Sequence, residues 1–144
     1  MKKLLTITLA CVSLTSFAKT TTIPSGSSGS ATLQTDINIS EQTGAVPIKL
    51  LITGDMELPN DNHSSATKDC FISALAIGNF ASNRISINFN EMICDGATYK
   101  ISGWAVDEDK KYGLASMGGV GNTLSVKQGH TLTVIFSNSL QIKQ

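Results

Sequence analysis

The sequence predicts an all-β protein, a small antiparallel barrel or sandwich of about seven to nine strands with little helix. Two observations support this fold class. Apolar and polar residues alternate in most segments after residue 30, and helical periodicity is weak throughout. Clusters of Gly, Asn, Asp and Pro recur between these segments, at intervals of about 8 to 15 residues. We therefore expect a single β domain over residues 31–144.

The first eighteen residues, MKKLLTITLACVSLTSFA, have the pattern of a secretory signal peptide. Lys2 and Lys3 form its basic start, an apolar stretch follows, and small residues precede the expected cleavage point. The pattern predicts cleavage between Ala18 and Lys19, which gives residues 1–18 as the signal and places the mature protein outside the cytoplasm.

A lipoprotein signal, acylated at Cys11, is the competing interpretation. Thr8 argues against it, because such signals usually carry Leu at that position, and the apolar run also continues past Cys11. The stretch after the signal, KTTTIPSGSSGS, is rich in Ser, Thr and Gly. That composition predicts a flexible N-terminal segment over residues 19–30.

Alternation locates the strands of the β domain. Its apolar positions are Leu33, Ile37 and Ile39; Val46, Ile48, Leu50 and Ile52; Ile85, Ile87 and Phe89; Tyr99, Ile101, Gly103 and Ala105; and Leu132, Val134 and Phe136. Such alternation is typical of half-buried antiparallel strands. Asp95-Gly96 is a short-range hairpin signal, which we expect to join strand 84–94 to strand 98–106. The last six residues, SLQIKQ, predict a closing strand.

Charge and hydropathy exclude two classes of partner. Loss of Lys2 and Lys3 with the signal leaves nine basic and eleven acidic residues, a net charge of −2. Without a basic patch to neutralise several phosphates, we expect no nucleic-acid partner. After residue 18 no apolar run approaches the ~20 residues that a spanning helix needs, so we expect no direct membrane span.

Two cysteines, Cys70 and Cys94, remain after signal removal. An even pair in an exported protein predicts one disulfide bond. Two unpaired buried thiols are the alternative. No third cysteine and no well-spaced histidine accompanies them, so we expect no zinc site and no cofactor.

The stretch Asp107-Glu108-Asp109 holds three consecutive acids and is the strongest candidate for metal binding. Lys110 and Lys111 follow at once and would oppose a cation, so the sequence favours a charged hairpin tip. Both histidines, at positions 63 and 130, lie in turn-like contexts away from any recognisable nucleophile, and we interpret both as solvated. The sequence therefore predicts a protein that is not an enzyme.

Trp104 is the only tryptophan and lies on a predicted strand. It shares its face with Lys100 and Ser102 rather than with Ile101, so both ordinary packing and an interface role stay open. We take Trp104 and the tip residues 107–111 as the candidate contact surface.

Several segments together resemble the C-terminal domain of the TraB/TrbI-like conjugation proteins, which are scaffold subunits of type IV secretion systems. The most specific block is KDCFISALAIGNFASNRISINFNEMIC. In it a Cys-Phe strand, a turn from Gly78 to Arg84 and a second Cys recur in the order seen in that family. IPSGSSGSATLQTDIN, VPIKLLITGDMELPN, ISGWAVDEDKKYGLASMGG and LSVKQGHTLTVIFSNSLQI are similar to further segments in family order.

The resemblance covers most of residues 23–142 and implies a barrel-like periplasmic domain that assembles in a ring near the outer membrane. It implies lipoprotein and secretin-like partners there. This chain departs from the family in two ways. A signal peptide stands in place of the N-terminal membrane anchor and Pro-rich linker, and only about ten residues, 118–127, replace the pore-building helical insertion. The resemblance thus extends to the barrel and its contacts rather than to the pore.

From these observations we expect a non-catalytic, periplasmic structural or accessory component of a conjugation or type IV secretion core complex. It would act through protein–protein contacts, including self-association in a ring. Arg84 is expected to order the turn before its strand by hydrogen bonding to nearby carbonyl groups. The alternative function is a free periplasmic β module that binds a small ligand or an envelope polymer.

Overall fold

A computed structural model describes residues 20–117 and 123–143 of the chain. These residues form β-strands, turns and irregular segments, without a helix. The strands are β1 (Thr20–Ile23), β2 (Ser28–Leu33), β3 (Ile37–Ser40), β4 (Ala45–Ile52), β5 (Met56–Glu57), β6 (His63–Ser64), β7 (Phe71–Asn79), β8 (Arg84–Cys94), β9 (Ala97–Lys100), β10 (Gly103–Val106), β11 (Leu114–Ala115), β12 (Thr123–Val126), β13 (Thr131–Phe136) and β14 (Leu140–Lys143).

The largest sheet runs in the order β10-β13-β2-β4-β7-β8-β11, with β5, β6 and β9 attached beside this path. Two smaller sheets pair β1 with β14 and β3 with β12. All of these strand pairs are antiparallel. The end strands β10 and β11 share no ladder, although a single parallel bridge joins Val106 to Gly113. The architecture is therefore sandwich-like and not a closed barrel.

The core is enclosed by the large sheet, in which Phe89 of β8 and Phe136 of β13 pack edge to face at 6.4 Å, and by the small β3–β12 sheet. Ile39 of β3 and Leu124 of β12 are buried, and a Cβ atom built on Gly78 of β7 would lie 3.0 Å from each of them. Gly78 follows the buried residues Ala74 and Ala76 on the same face of β7, so that face points inward. The apolar positions predicted from alternation are buried except Val46, Tyr99 and Gly103, so the alternation marks the core side of most of these strands.

The β7–β8 hairpin is the longest in the fold and contains a β-bulge. Ser73 pairs with Glu91 and Ala74 pairs with Phe89, which leaves Asn90 as the extra residue. The buried positions of β8 accordingly change phase, from Phe89 to Met92. The predicted Cys70–Cys94 disulfide is present, with a Cα–Cα distance of 4.7 Å. It joins the residue before β7 to the last residue of β8 and clamps the open end of this hairpin.

Asp95 and Gly96 form the two-residue turn between β8 and β9, as predicted. Their φ angles are 46° and 78°, both positive, as a type I′ hairpin turn requires. The predicted continuous strand 98–106 is instead interrupted at Ile101 and Ser102, which separate β9 from β10. This break allows β9 to pair with β8 and β10 to pair with β13.

The N-terminal part of the chain differs from the expected flexible segment. Residues 20–23 form β1, which pairs with β14, and residues 28–30 begin β2, which pairs with β13. Ile23 and Ser27 are fully buried. Pairing with distant strands supplies order that the local Ser/Gly-rich composition does not signal. The described β domain thus begins at Thr20 rather than at residue 31.

The predicted fold class is confirmed: the protein is an antiparallel, all-β sandwich with one disulfide. The strands in the described part number fourteen rather than seven to nine; three of them have only two residues, and the predicted strand 98–106 is divided into β9 and β10. The described residues contain no helix of the length and apolarity that crossing a membrane requires.

Candidate functional site

The loop that joins β10 to β11 is a tight, internally bonded turn. The Lys110 N–H donates to the Asp107 carbonyl at 2.8 Å, and the Asp107 N–H donates to the Lys111 carbonyl at 3.2 Å. Gly113 has a φ of 77°, and a Cβ atom there would lie 2.6 Å from the carbonyl oxygen of Ile85. Only glycine combines that conformation with so close an approach of two backbones.

Asp107 points inward from this loop and is 7% exposed. One carboxylate oxygen accepts the Glu108 N–H at 2.7 Å and lies 2.8 Å from the His130 Nε2 atom. The other oxygen accepts the Ala115 N–H at 2.8 Å. Asp107 thus connects its own loop to β11 and to the start of β13. The prediction that Asp107 belongs to an exposed contact surface is not met, because its carboxylate is used inside the fold.

Opposing effects act on the pKa of Asp107. Burial alone raises this pKa, because the charged form loses solvation. Hydrogen bonds from the Ala115 N–H, from His130 and from the Glu108 N–H favour the carboxylate. Together they outweigh burial and hold the pKa of Asp107 below its ordinary value of 3.8. Asp107 is therefore a charged hydrogen-bond acceptor at neutral pH.

Arg84, the first residue of β8, fixes the outer part of the loop. Its Nη1 and Nη2 atoms donate to the two carboxylate oxygens of Asp109, at 2.8 and 3.3 Å. Its Nε atom donates to the Tyr112 carbonyl at 2.9 Å, and Nη2 also donates to the carbonyls of Lys111 and Gly113, at 3.2 and 2.9 Å. A planar guanidinium with five donors suits this dense array of acceptors.

The hydrogen bond from Arg84 is the main reason that the pKa of Asp109 lies below its ordinary value. The Lys111 N–H, which donates to Asp109 at 3.0 Å, adds to the effect. The sequence predicts that Arg84 bonds carbonyl groups and orders the turn before its own strand. It does bond carbonyls, but those of a loop 27 to 29 residues further along the chain.

His130 does not fit its interpretation as a solvated turn residue. Its side chain is 16% exposed, and the imidazole is bonded to Asp107. Its backbone carbonyl also accepts the Leu33 N–H at 2.9 Å. That interpretation was wrong because the partner lies 23 residues away, across a strand pairing that local sequence does not reveal. His63 is exposed, as expected.

The remaining predicted contact residues are on the surface. Glu108, Asp109, Lys110 and Lys111 are exposed around the loop. Trp104 is 37% exposed and lies on the outer face of β10, directly across the ladder from Ile135. This position leaves Trp104 outside the main core.

Two exposed apolar residues near the loop were missed by the sequence analysis. Tyr112 is 55% exposed and Met117 is 65% exposed. The main chain at both positions is held: the Tyr112 carbonyl accepts from Arg84, and the Met117 N–H donates to the Ser125 carbonyl at 2.8 Å. Both lie beside glycines, and no local pattern in the sequence distinguishes them from core residues.

A shallow depression of about 300 Å³ opens beside the loop. Its lining includes Asp107, Glu108, Ser116, Met117 and His130. The Ser116 hydroxyl accepts the Ser125 N–H at 3.1 Å, whereas the His130 Nε2 atom is bonded to Asp107. Among the described residues, no group of three or more His, Cys, Asp or Glu side chains is arranged to hold a metal ion.

The disulfide residues Cys70 and Cys94 are nearly buried, at 3% and 6% exposed. They therefore act as a structural link. A disulfide persists in an oxidising compartment, which fits an extracytoplasmic protein. The predicted cleavage residues Ala18 and Lys19, and the alternative acylation site Cys11, lie outside the described residues.

Comparison with known proteins gives no family assignment. No protein-family model matches the chain, and no curated protein sequence matches it.

Proposed function

We propose that the mature chain is a non-catalytic structural or accessory component of a conjugation or type IV secretion core complex in the periplasm. It acts through protein–protein contacts made by the β10–β11 loop and the residues that follow it. The order of the conjugation-like segments in the sequence supports the class of assembly. The disulfide is consistent with the proposed compartment.

One observation carries the contact role: exposed apolar side chains are displayed on a main chain that is already fixed. Tyr112 and Met117 are more than half exposed, yet the Tyr112 carbonyl is held by the Arg84 side chain and the Met117 N–H by the Ser125 carbonyl. Because the main chain is already held, binding here costs little further backbone entropy, and aromatic residues are frequent binding hot spots. A rim of exposed Glu108, Lys110 and Lys111 adds polar contacts.

Site-specific photocrosslinking in cells that carry the secretion apparatus tests this function. A benzoylphenylalanine placed at Tyr112 or Met117 is expected to yield adducts with core-complex components, identified by mass spectrometry. The same residue placed at the exposed Lys68, which lies in a turn before β7, serves as the control. Adducts that are absent at both test positions, or equally frequent at Lys68, would contradict the proposal.

A second function, ligand or envelope-polymer binding by a free module, is favoured by the depression beside His130. A shallow site with mixed polar and apolar lining suits a polar envelope fragment better than an apolar ligand. Titration of the purified protein with soluble peptidoglycan fragments, followed by chemical shifts of the His130 ring and the Met117 methyl group, distinguishes this function. Saturable shifts at these residues support it, and unchanged spectra exclude it.

A further inference from the structure

The outer face of the central strand β7 is apolar, although it faces away from the core. Its side chains, at Phe71, Ser73, Leu75 and Ile77, are half-buried, while the alternate residues point into the core. A strand that is apolar on both faces is typical of a strand covered on both sides. The small sheet of β3 and β12 packs on the opposite, Gly78 side of the strand, where Ile39 and Leu124 lie.

Neighbouring strands extend this apolar face along one row of directly paired residues. Leu51 of β4 pairs with Phe71, which pairs with Ile93 of β8. Ile93 is 41% exposed, and Leu51 is half-buried. Contiguous exposed apolar surface on a folded protein marks an interaction site. We name the outward side chains of β4, β7 and β8 the outer face.

In the next row of paired residues, the outer face carries a positive charge on β4 and a negative charge on β8. Lys49 of β4 pairs with Ser73, which pairs with Glu91 of β8. Lys49 and Glu91 are exposed and lie one strand to either side of β7, about 10 Å apart across the two strand spacings. The Lys49 ammonium rests 4.1 Å from the centroid of the Phe71 ring, so the cation already lies over the apolar row.

From this arrangement we infer that a second copy of the chain docks on the outer face, related by a two-fold axis that runs along β7. Such an axis places β4 of one copy over β8 of the other. Lys49 then meets Glu91 of the partner subunit, and Leu51 meets Ile93 of the partner subunit. Each contact occurs twice, as an isologous interface requires. Phe71 and Leu75 lie on the axis and meet their own copies.

This pairing goes beyond the proposed function and names one further partner, a second copy of the chain. It uses a surface separate from the β10–β11 loop, so the two can be tested apart. The self-complementary charges favour a copy of the same chain over an unrelated protein, since a single residue row supplies both signs in the positions that the axis demands.

Charge reversal combined with sedimentation velocity tests the pairing. The wild type is expected to be a reversible dimer. Lys49→Glu alone places acid against acid at both contacts, and Glu91→Lys alone places base against base. Each is expected to weaken self-association about tenfold, because both symmetric contacts change from attraction to repulsion. Lys127→Glu, an exposed charge reversal just after β12, is the matched control and should leave the dimer unchanged.

Mixing the two single variants gives the decisive result. A dimer that contains one Lys49→Glu chain and one Glu91→Lys chain has opposite charges at both contacts, so association is expected to recover. Recovery cannot come from a general effect on folding. If the mixture stays as weakly associated as the separate variants, or if the wild type is monomeric at every concentration, the pairing is wrong.

Glu91 also faces Lys100 within the chain, so the folding of Glu91→Lys is checked by its urea midpoint. If that variant does not fold, Leu75→Lys provides a second test, because it places two ammonium groups together at the axis and should abolish the dimer. If the wild type is monomeric but still crosslinks through Tyr112 and Met117, the pairing is wrong and the proposed function is still supported. If it is dimeric but gives no such crosslinks, the pairing is supported and the proposed function is wrong.

Discussion

At the scale of single residues, the Asp107 carboxylate is a buried charged group in the loop. It holds three contacts from different parts of the chain in one nearly buried position. We expect Asp107→Asn to lower the free energy of unfolding by about 1–3 kcal/mol, because an amide donor would face a backbone N–H or the imidazole. Urea denaturation at pH 7 measures the change.

Glu108→Gln is the matched control. The Glu108 side chain is exposed, so removing its charge should change the free energy of unfolding little. The contribution of Asp107 also depends on pH. Its pKa is lower in the folded protein than 3.8, so its stabilisation is present above that pH and is lost as the pH falls through the folded value. The gap between wild type and Asp107→Asn should therefore close below about pH 4, and a constant gap from pH 7 to pH 2 would contradict this account.

The structural role of some residues could be predicted from local sequence, and that of others could not. Ile85, Ile87 and Ile101 were assigned to the core because a period of two depends only on neighbouring residues. The Asp107–His130 and Arg84–Asp109 contacts join residues 23 and 25 positions apart. Their formation depends on which strands become neighbours, and a single sequence contains no local signal for that pairing.

At the scale of elements, the turn between β8 and β9 is a strict conformational requirement. Gly96 has a φ of 78° with nothing within 4 Å of an added Cβ, so the backbone angle alone restricts the residue. We expect Gly96→Ala to lower the free energy of unfolding by about 1 kcal/mol, the usual cost of the left-handed region for an L-residue. Thermal or urea unfolding measures it.

Gly54→Ala is the control for the turn, because that position is equally open but lacks a positive φ. It should be neutral or slightly stabilising, since alanine restricts the unfolded chain. Equal destabilisation by both substitutions would show that Gly96 is not a conformational requirement.

Neither the bulge in β8 nor the pairing of β1 with β14 could be predicted from local sequence. The buried positions change phase after Phe89, but Ile93 continues the odd-numbered apolar alternation in the sequence and is nevertheless exposed. The pairing of β1 with β14 joins opposite ends of the chain.

At the scale of the whole molecule, the disulfide links stability to the compartment. Replacing both cysteines by alanine removes a cross-link between residues 24 positions apart and should lower the free energy of unfolding by roughly 3 kcal/mol in the chain-entropy model. Urea unfolding of the double variant Cys70→Ala/Cys94→Ala measures this cost. Wild type treated with reductant should match the double variant, and an unchanged midpoint in both would contradict a stabilising role.

The outer face of the large sheet concerns association between chains rather than the stability of one chain. Stability of the single chain and its association are separate quantities, because the core side and the outer side of β7 use alternate residues. Charge changes at Lys49 or Glu91 should therefore alter association far more than they alter folding.

The antiparallel pairing of β1 with β14 has a mechanical consequence. Thr20 lies opposite Lys143, so both ends of the described domain leave it at the same corner. Tension applied between these ends would load the four residue pairs one after another, from the corner inward, rather than all at once. A pull across these ends would therefore separate this small sheet first, while the Cys70–Cys94 disulfide keeps the β7–β8 hairpin cross-linked.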